Sequence, residues 1–237
     1  MAIQTLIRKR GFILYDDALT SHASEELFSP RHWLRHASLR GAVGGRGNAW
    51  IVSGGNDAWV LRHYRRGGLA RTFSQDYYLW MGLERTRPWR EWRLLSALYK
   101  EGLPVPQPVA AQVLRYGLVY RGDLITRLIP DTRSLAARLQ DAGIEGPPWD
   151  RIGACIRRFH DAGVFHADLN AYNILIGGRS EVYLVDFDRG ERRSPGVLWP
   201  QANLARLQRS LRKLAIPGLA AGHVWSLLLN GYNNKSV

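Results

Sequence analysis

The stretch His166-Ala-Asp168-Leu-Asn170-Ala-Tyr-Asn173-Ile-Leu-Ile176, followed by Val182-Tyr-Leu-Val-Asp186-Phe-Asp188, constrains this chain more than any other feature. Two short apolar runs border polar side chains, the pattern of strands joined by tight loops. Carboxylates and amides are thereby held at strand ends, rigid yet able to reach a cleft. Phosphoryl transfer needs such a set: one carboxylate for an acceptor hydroxyl, then an amide and a second carboxylate to hold Mg²⁺ on phosphates. The order assigns Asp168 to the hydroxyl, and Asn173 and Asp186 to the metal. The bland alternative makes His166 and Asp168 turn caps and Asp186 a strand end. Order, spacing and flanking strands together favour the chemical reading.

The N-terminal half reads as strands and turns. Gly44, Gly45 and Gly47, within GAVGGRGNAWIV, permit positive φ and close backbone approach, as a phosphate-cradling loop requires. The same glycines also suit an ordinary hairpin turn. Ala58 to Tyr64 alternates as a strand. Its Arg62 has the fixed charge and planar fork that engage phosphate oxygens in pairs. In Pro88 to Leu98 the apolar positions 94, 95 and 98 follow helical spacing, and Glu91 falls on their face. A carboxylate on a buried stripe requires a cation, and Arg62 is the candidate. The alternative is an exposed Glu91 in the first helical turn, favoured by the helix dipole.

Gly102-Leu-Pro104-Val-Pro106-Gln-Pro108 reads as a stiff connector, followed by strands near 109–120 and 123–129. Beyond them the pattern turns helical. Trp149 to Ala162 carries Ile152, Ile156 and Phe159 on one face, with Cys155 in the core. Gln201 to Ile216 aligns Leu204, Leu207, Leu211 and Leu214, with Arg206, Arg209 and Lys213 opposite. The net charge of +13 also draws on Arg62 to Arg66, Arg71 and Arg189 to Arg193. Such an excess asks for a polyanion, either nucleic acid or an anionic membrane surface. No apolar run approaches the roughly 18 residues of a membrane span, and the N-terminus lacks a secretory pattern. A lone cysteine fits a reducing compartment. At 237 residues, the chain suits one two-lobed unit.

HxDLNxxN with DxD resembles the catalytic loop and metal-binding segment of the protein-kinase-like fold. The resemblance implies an α+β, two-lobed architecture. Residues 1–127 would form an N-terminal lobe, an antiparallel sheet with one long helix, and residues 128–237 a mainly helical C-terminal lobe. It places His166 and Asn170 beside Asp168 in the catalytic loop. Gly44, Gly45 and Gly47 become the glycine-rich loop, with Trp50 where a third glycine is usual. Arg62 takes the position of the phosphate-binding lysine, Glu91 that of its helix partner, and Thr126 to Pro130 that of the hinge. Two departures point away from protein substrates: Asp186-Phe187-Asp188 replaces the usual Asp-Phe-Gly, and Asn170 stands where a Ser/Thr protein kinase has Lys. Asp188 is either a further metal ligand, a partner of Arg189 or a turn cap.

Further segments narrow the resemblance. GGRG, LRHYRRGG, HADLNAYNILI, DFDRG and WPQANLARLQRSLRKL are similar to the lipopolysaccharide kinase group that phosphorylates 3-deoxy-D-manno-octulosonic acid (Kdo), from about Gly41 to Leu214. This implies ATP and Mg²⁺, and transfer to the 4-hydroxyl of Kdo on a Kdo-bearing lipid A precursor in lipopolysaccharide core biosynthesis. It also implies peripheral attachment to the anionic cytoplasmic face of a Gram-negative inner membrane, with no nucleic acid and no obligate protein partner. The alternatives are an aminoglycoside- or choline-type kinase of the same fold, and a catalytically silent nucleotide- or nucleic-acid-binding module. A basic enzyme would repel a cationic aminoglycoside, and an intact Asp168, Asn173 and Asp186 set argues against silence. A protein kinase is disfavoured by Asn170 and by the short path from Asp188 to Trp199-Pro200.

Overall fold

A computed structural model of the chain describes residues 3–9, 11–20, 23–36, 39–43, 49–54, 57–65, 76–141, 146–214 and 222–234. The chain divides into two compact units, Met1–Ser96 with Gln107–Leu128, and Ala97–Pro106 with Ile129–Val237. One edge thus falls at Leu128, while the Pro-rich connector belongs with the second unit.

The first unit is built on an antiparallel sheet. Its strands are β1 (Ile3–Ile7), β2 (Gly11–Asp16), β3 (Leu39–Val43), β4 (Ala49–Gly54), β5 (Asp57–His63), β6 (Tyr78–Leu79), β7 (Pro108–Tyr116) and β8 (Val119–Arg127). They run in the order β1-β2-β7-β8-β5-β4-β3, with β6 on β8. Successive side chains of a strand point to opposite faces. On β5, Trp59 and Leu61 enter a core with Ile13, Val52, Ile125 and Trp33 of the short helix α1 (Pro30–Arg35). Arg62 and Tyr64 meet α2 (Arg87–Lys100), whose Trp89, Trp92, Leu95 and Leu98 are almost fully buried.

The hairpin between β7 and β8 differs from the sequence expectation. Its turn lies at Gly117, with φ of 62°, and not near Gly122. Gly122 pairs with Val113 inside the sheet, and a Cβ there would overlap Pro88 of α2 and lie 2.9 Å from the Gln112 carbonyl. That glycine therefore lets α2 approach the sheet, whereas Gly117 supplies the left-handed turn.

The second unit contains β9 (Arg133–Ser134), α3 (Leu135–Gln140), α4 (Trp149–Asp161), β10 (Val164–Phe165), β11 (Ile174–Ile176), β12 (Val182–Leu184), β13 (Glu191–Arg192), α5 (Leu198–Lys213) and α6 (Gly222–Asn233). Ile152, Ile156 and Phe159 of α4 are buried as their spacing predicts. Burial pushes the Cys155 thiol up to about 12, as befits a core residue. β11 pairs with β12 and β9, and β10 pairs with β13. The segment between β10 and β11 carries the HADLNAYN motif.

Candidate active site

The motif segment is shaped by alternating apolar anchors and polar ties. Leu169 and Ala171 are buried, as is Ile174 at the start of β11. Between them, Asn170 folds its side chain back on the loop. Its Nδ2 donates to the Asp168 carbonyl at 3.0 Å, and its Oδ1 accepts from the Tyr172 and Asn173 amides at 2.8 and 3.2 Å. Such self-bonding is the usual behaviour of Asn in a tight loop. Asn173 adds a second tie, donating Nδ2 to the same Asp168 carbonyl at 2.9 Å.

His166 is buried, and both of its ring nitrogens are committed. Nε2 lies 3.0 Å from the Val185 carbonyl, which can only accept, so Nε2 carries the hydrogen. Nδ1 accepts from the Asp168 backbone N–H at 3.2 Å. Burial lowers the imidazole's pKa, more than the Val185 carbonyl and the nearby carboxylates raise it, and holds the ring neutral. The ring packs on Phe187, which stacks in turn on Phe159.

Asp186 is placed by that buried Phe187 and by the β11–β12 ladder. The pairing of Ile174 with Leu184 continues as a 3.0 Å bond from the Val185 amide to the Asn173 carbonyl. Asn173 and Asp186 therefore leave neighbouring positions at one end of the ladder. Asp186 adopts φ of 64°, a left-handed conformation that Asp tolerates better than most residues. Asp188 lies in the tight turn closed by the Gly190 amide on the Phe187 carbonyl at 2.7 Å, beside Arg189 with φ of 58°.

These residues fit a Mg²⁺ ion by chemistry. Mg²⁺ binds through a few protein oxygens and completes its shell with water and phosphate. With Nδ2 committed, Asn173 offers its amide oxygen, and Asp186 offers a partly exposed carboxylate. Such a site needs no cluster of three or more His, Cys, Asp or Glu side chains, and none occurs among the described residues.

Three residues of α5 reach the loop, and sequence reasoning assigned none of them to it. Asn203, fully buried, accepts from the His166 amide at 3.2 Å and donates to the His166 carbonyl at 3.0 Å. Ser210 accepts from the Ala171 amide at 3.1 Å. Arg206 directs Nε (3.0 Å) and Nη2 onto Oδ1 of Asp168. Arg206 keeps its place off the leucine stripe and is half-exposed, but it is also paired, since the half-exposed Asp168 carboxylate engages it. Burial raises the pKa of the Asp168 carboxyl, but the hydrogen bonds and charge of Arg206, helped by Asn170, outweigh this and hold it below its usual range. The signal was present as a second, polar stripe at steps of three and four residues.

In the first unit, the Glu91 side chain is 1% exposed and Arg62 Nη2 lies 2.5 Å from its Oε2. The Tyr64 hydroxyl donates to the same oxygen, and the Arg62 guanidinium sits 4.9 Å from the Tyr64 ring centroid. Arg87 lies over the rings of Tyr64 and Tyr78, 5.6 and 4.8 Å from their centroids. Gly44, Gly45 and Gly47 lie outside the described residues, between the paired ends Val43 and Ala49 of β3 and β4.

Residues 31–232 match the model of the Lipopolysaccharide kinase (Kdo/WaaP) family. The chain is 50% identical over 204 residues to a 3-deoxy-D-manno-octulosonic acid kinase of Stenotrophomonas maltophilia (strain R551-3), covering 86% of this chain and 81% of the relative. It is 49% identical over 207 residues to the enzyme of that name from Xanthomonas campestris pv. campestris (strain B100), covering 87% and 82%. The loop, the ladder and the extent of this likeness agree, and the chain belongs to the lipopolysaccharide kinase (Kdo/WaaP) family.

Proposed function

We propose that this chain is a Kdo kinase, transferring the γ-phosphoryl group of ATP to the 4-hydroxyl of Kdo on a Kdo-bearing lipid A precursor. The observation that carries the reading is the braced loop. It holds Asp168 ionised, with Asn173 and Asp186 at the adjoining end of one ladder. Asp168 takes the acceptor hydroxyl's proton. His166, neutral and doubly bonded, and Asn170, bonded to the loop backbone, set the loop's shape and do not carry protons. Asn173 and Asp186 would hold Mg²⁺, which neutralises charge on the phosphates when bound. Asp188 assists from the following turn. In the first unit, Arg62, oriented by Glu91, is the candidate phosphate contact, and Gly44, Gly45 and Gly47 the candidate glycine-rich loop.

No helix among the described residues is long and apolar enough to cross a membrane. We place the protein peripherally on the anionic cytoplasmic face of the inner membrane. Supporting this are the +13 charge and an apolar edge formed by Leu79, Met81 and Leu118. That edge is knit by the Trp80 amide on the Leu118 carbonyl at 2.8 Å and borders Arg115 and Arg121.

The test is incubation with ATP, Mg²⁺ and a Kdo-bearing lipid A precursor, read by mass spectrometry. The acceptor should gain one phosphate, located on Kdo oxygen 4 by fragmentation. Asp168→Asn should lower kcat by roughly 10²–10⁴-fold while Mg·ATP still binds. No added phosphate, or phosphate at another position, overturns the reading.

A further inference from the structure

In this chain the cation beside Asp168 comes from α5. The loop position where a Ser/Thr protein kinase has Lys is Asn170, whose amide is spent on the backbone of Asp168, Tyr172 and Asn173. Arg206 supplies the charge, and its geometry is particular. Nε and Nη2 both address Oδ1, so the pair engages one oxygen of the carboxylate. The helix that delivers Arg206 is itself fixed to the loop one turn on either side, through Asn203 on both backbone groups of His166 and Ser210 on the Ala171 amide. A side chain held between two such ties has a defined reach.

We propose that Arg206 is a positioning residue for phosphoryl transfer, holding Oδ1 of Asp168 so that Oδ2 meets the acceptor hydroxyl. In the step it serves, the acceptor oxygen bonds to the γ-phosphorus and its proton passes to Oδ2. The bond from that phosphorus to the β–γ bridging oxygen breaks, and its electron pair leaves on ADP. The inference rests on Asp168 being the hydroxyl's base, as argued above.

The pair's exposure separates this role from a purely structural one. The side chains of Arg206 and Asp168 are 46% and 43% exposed, and an ion pair so open to water adds little to stability. Loss of Arg206 should therefore reach the rate before the fold.

The experiment compares wild type, Arg206→Gln, Arg206→Lys, Asp168→Asn and the Asp168→Asn/Arg206→Gln double variant, using ATP, Mg²⁺ and the Kdo-lipid acceptor. Arg206→Gln should lower kcat about 10- to 100-fold, the scale of a misplaced catalytic group, with KM for ATP unchanged. Arg206→Lys should restore part of the lost kcat. In the Asp168→Asn background, Arg206→Gln should cost nothing further, since both act through one group. Thermal midpoints should stay within a degree or two. Wild-type kcat in Arg206→Gln overturns the proposal. So does a rise in acceptor KM alone, which would make Arg206 a binding residue, or a rate loss that tracks unfolding. An active Asp168→Asn enzyme would instead remove the base reading itself.

Discussion

Replacing Arg62 by Met tests the ion pair of the first unit, because Met keeps the aliphatic stem and deletes the charge. The partner, Glu91, has a side chain 1% exposed, against 21% for Arg62. The carboxylate would be left in the core without this cation, bonded still to the Tyr64 hydroxyl. Breaking a buried pair in this way costs about 3–5 kcal/mol, a large part of the roughly 5–15 kcal/mol that holds a typical domain together. At ~2–4 °C per kcal/mol for a chain of this size, the melting midpoint should fall by roughly 6–20 °C. Arg62→Met/Glu91→Leu removes both charges and should recover most of that loss, since a well-packed apolar pair replaces a buried ionic one at little cost. The double variant also separates folding from chemistry. It should be stable yet show a KM for ATP raised about 10- to 100-fold, the worth of one charge-assisted contact. Calorimetric melting and ATP titration of the three variants make the measurement. An Arg62→Met protein that melts within a degree or two of wild type would refute the buried-pair argument. Normal ATP affinity in the double variant would refute the phosphate role alone.

Asp186→Asn keeps a residue that tolerates φ of 64° and deletes the charge, so Mg·ATP affinity measured by calorimetry should drop sharply. Asn173→Ala should be partly rescued by raised Mg²⁺, whereas equal rescue of both would contradict the division of roles. Gly153 of α4 has no room for a side chain: a Cβ would overlap the Leu228 carbonyl and lie 2.6 Å from the Tyr232 amide, both in α6. Gly153→Ala should cost at least the upper end of ~1–3 kcal/mol in urea unfolding, against ~0.5 kcal/mol or less for Gly178→Ala, where nothing lies within 4 Å. His160, bonded to the Tyr232 hydroxyl at 2.8 Å, is lowered by burial from 6.5 to about 4, so the unfolded chain takes up its proton first as pH falls. Its stabilisation is whole above pH 6.5 and is lost between there and about 4, by about 3 kcal/mol, so a flat stability profile from pH 6.5 to 5 would exclude it. Binding to vesicles containing anionic lipid should weaken in Leu79→Ser/Leu118→Ser and fade with salt, whereas unchanged co-sedimentation would rule out that edge.

What could be read in the sequence was what depends on near neighbours. Asp168, Asn170 and Asn173 are legible because the bonds that shape their loop join residues two to five positions apart. Glu91 is legible because helical phase puts it among Leu95 and Leu98, and burial then demands a cation. The misplaced break between the strands expected near 109–120 and 123–129 has the opposite cause. Composition cannot tell a glycine that turns the chain from one that admits a helix, and only Pro88 resting on the strand decides it.

The α5 contacts lay furthest from reach, since they join residues 37 to 39 positions apart in the chain. The leucine stripe was visible and gave the buried face, but it invited the inference that every cation off that stripe meets solvent. A helix packed beside a loop has a third kind of face, running from core to water, where polar groups satisfy groups that the loop cannot pair within itself. Asn203, Arg206 and Ser210 occupy that face, at helical steps of three and four. Their amide, guanidinium and hydroxyl match what the loop offers: an N–H with its carbonyl, a carboxylate, and a lone N–H. The placing of the Asp168 carboxylate is thus divided between two stretches of sequence. The loop fixes its own backbone through two asparagines, and a helix some forty residues on fixes the side chain.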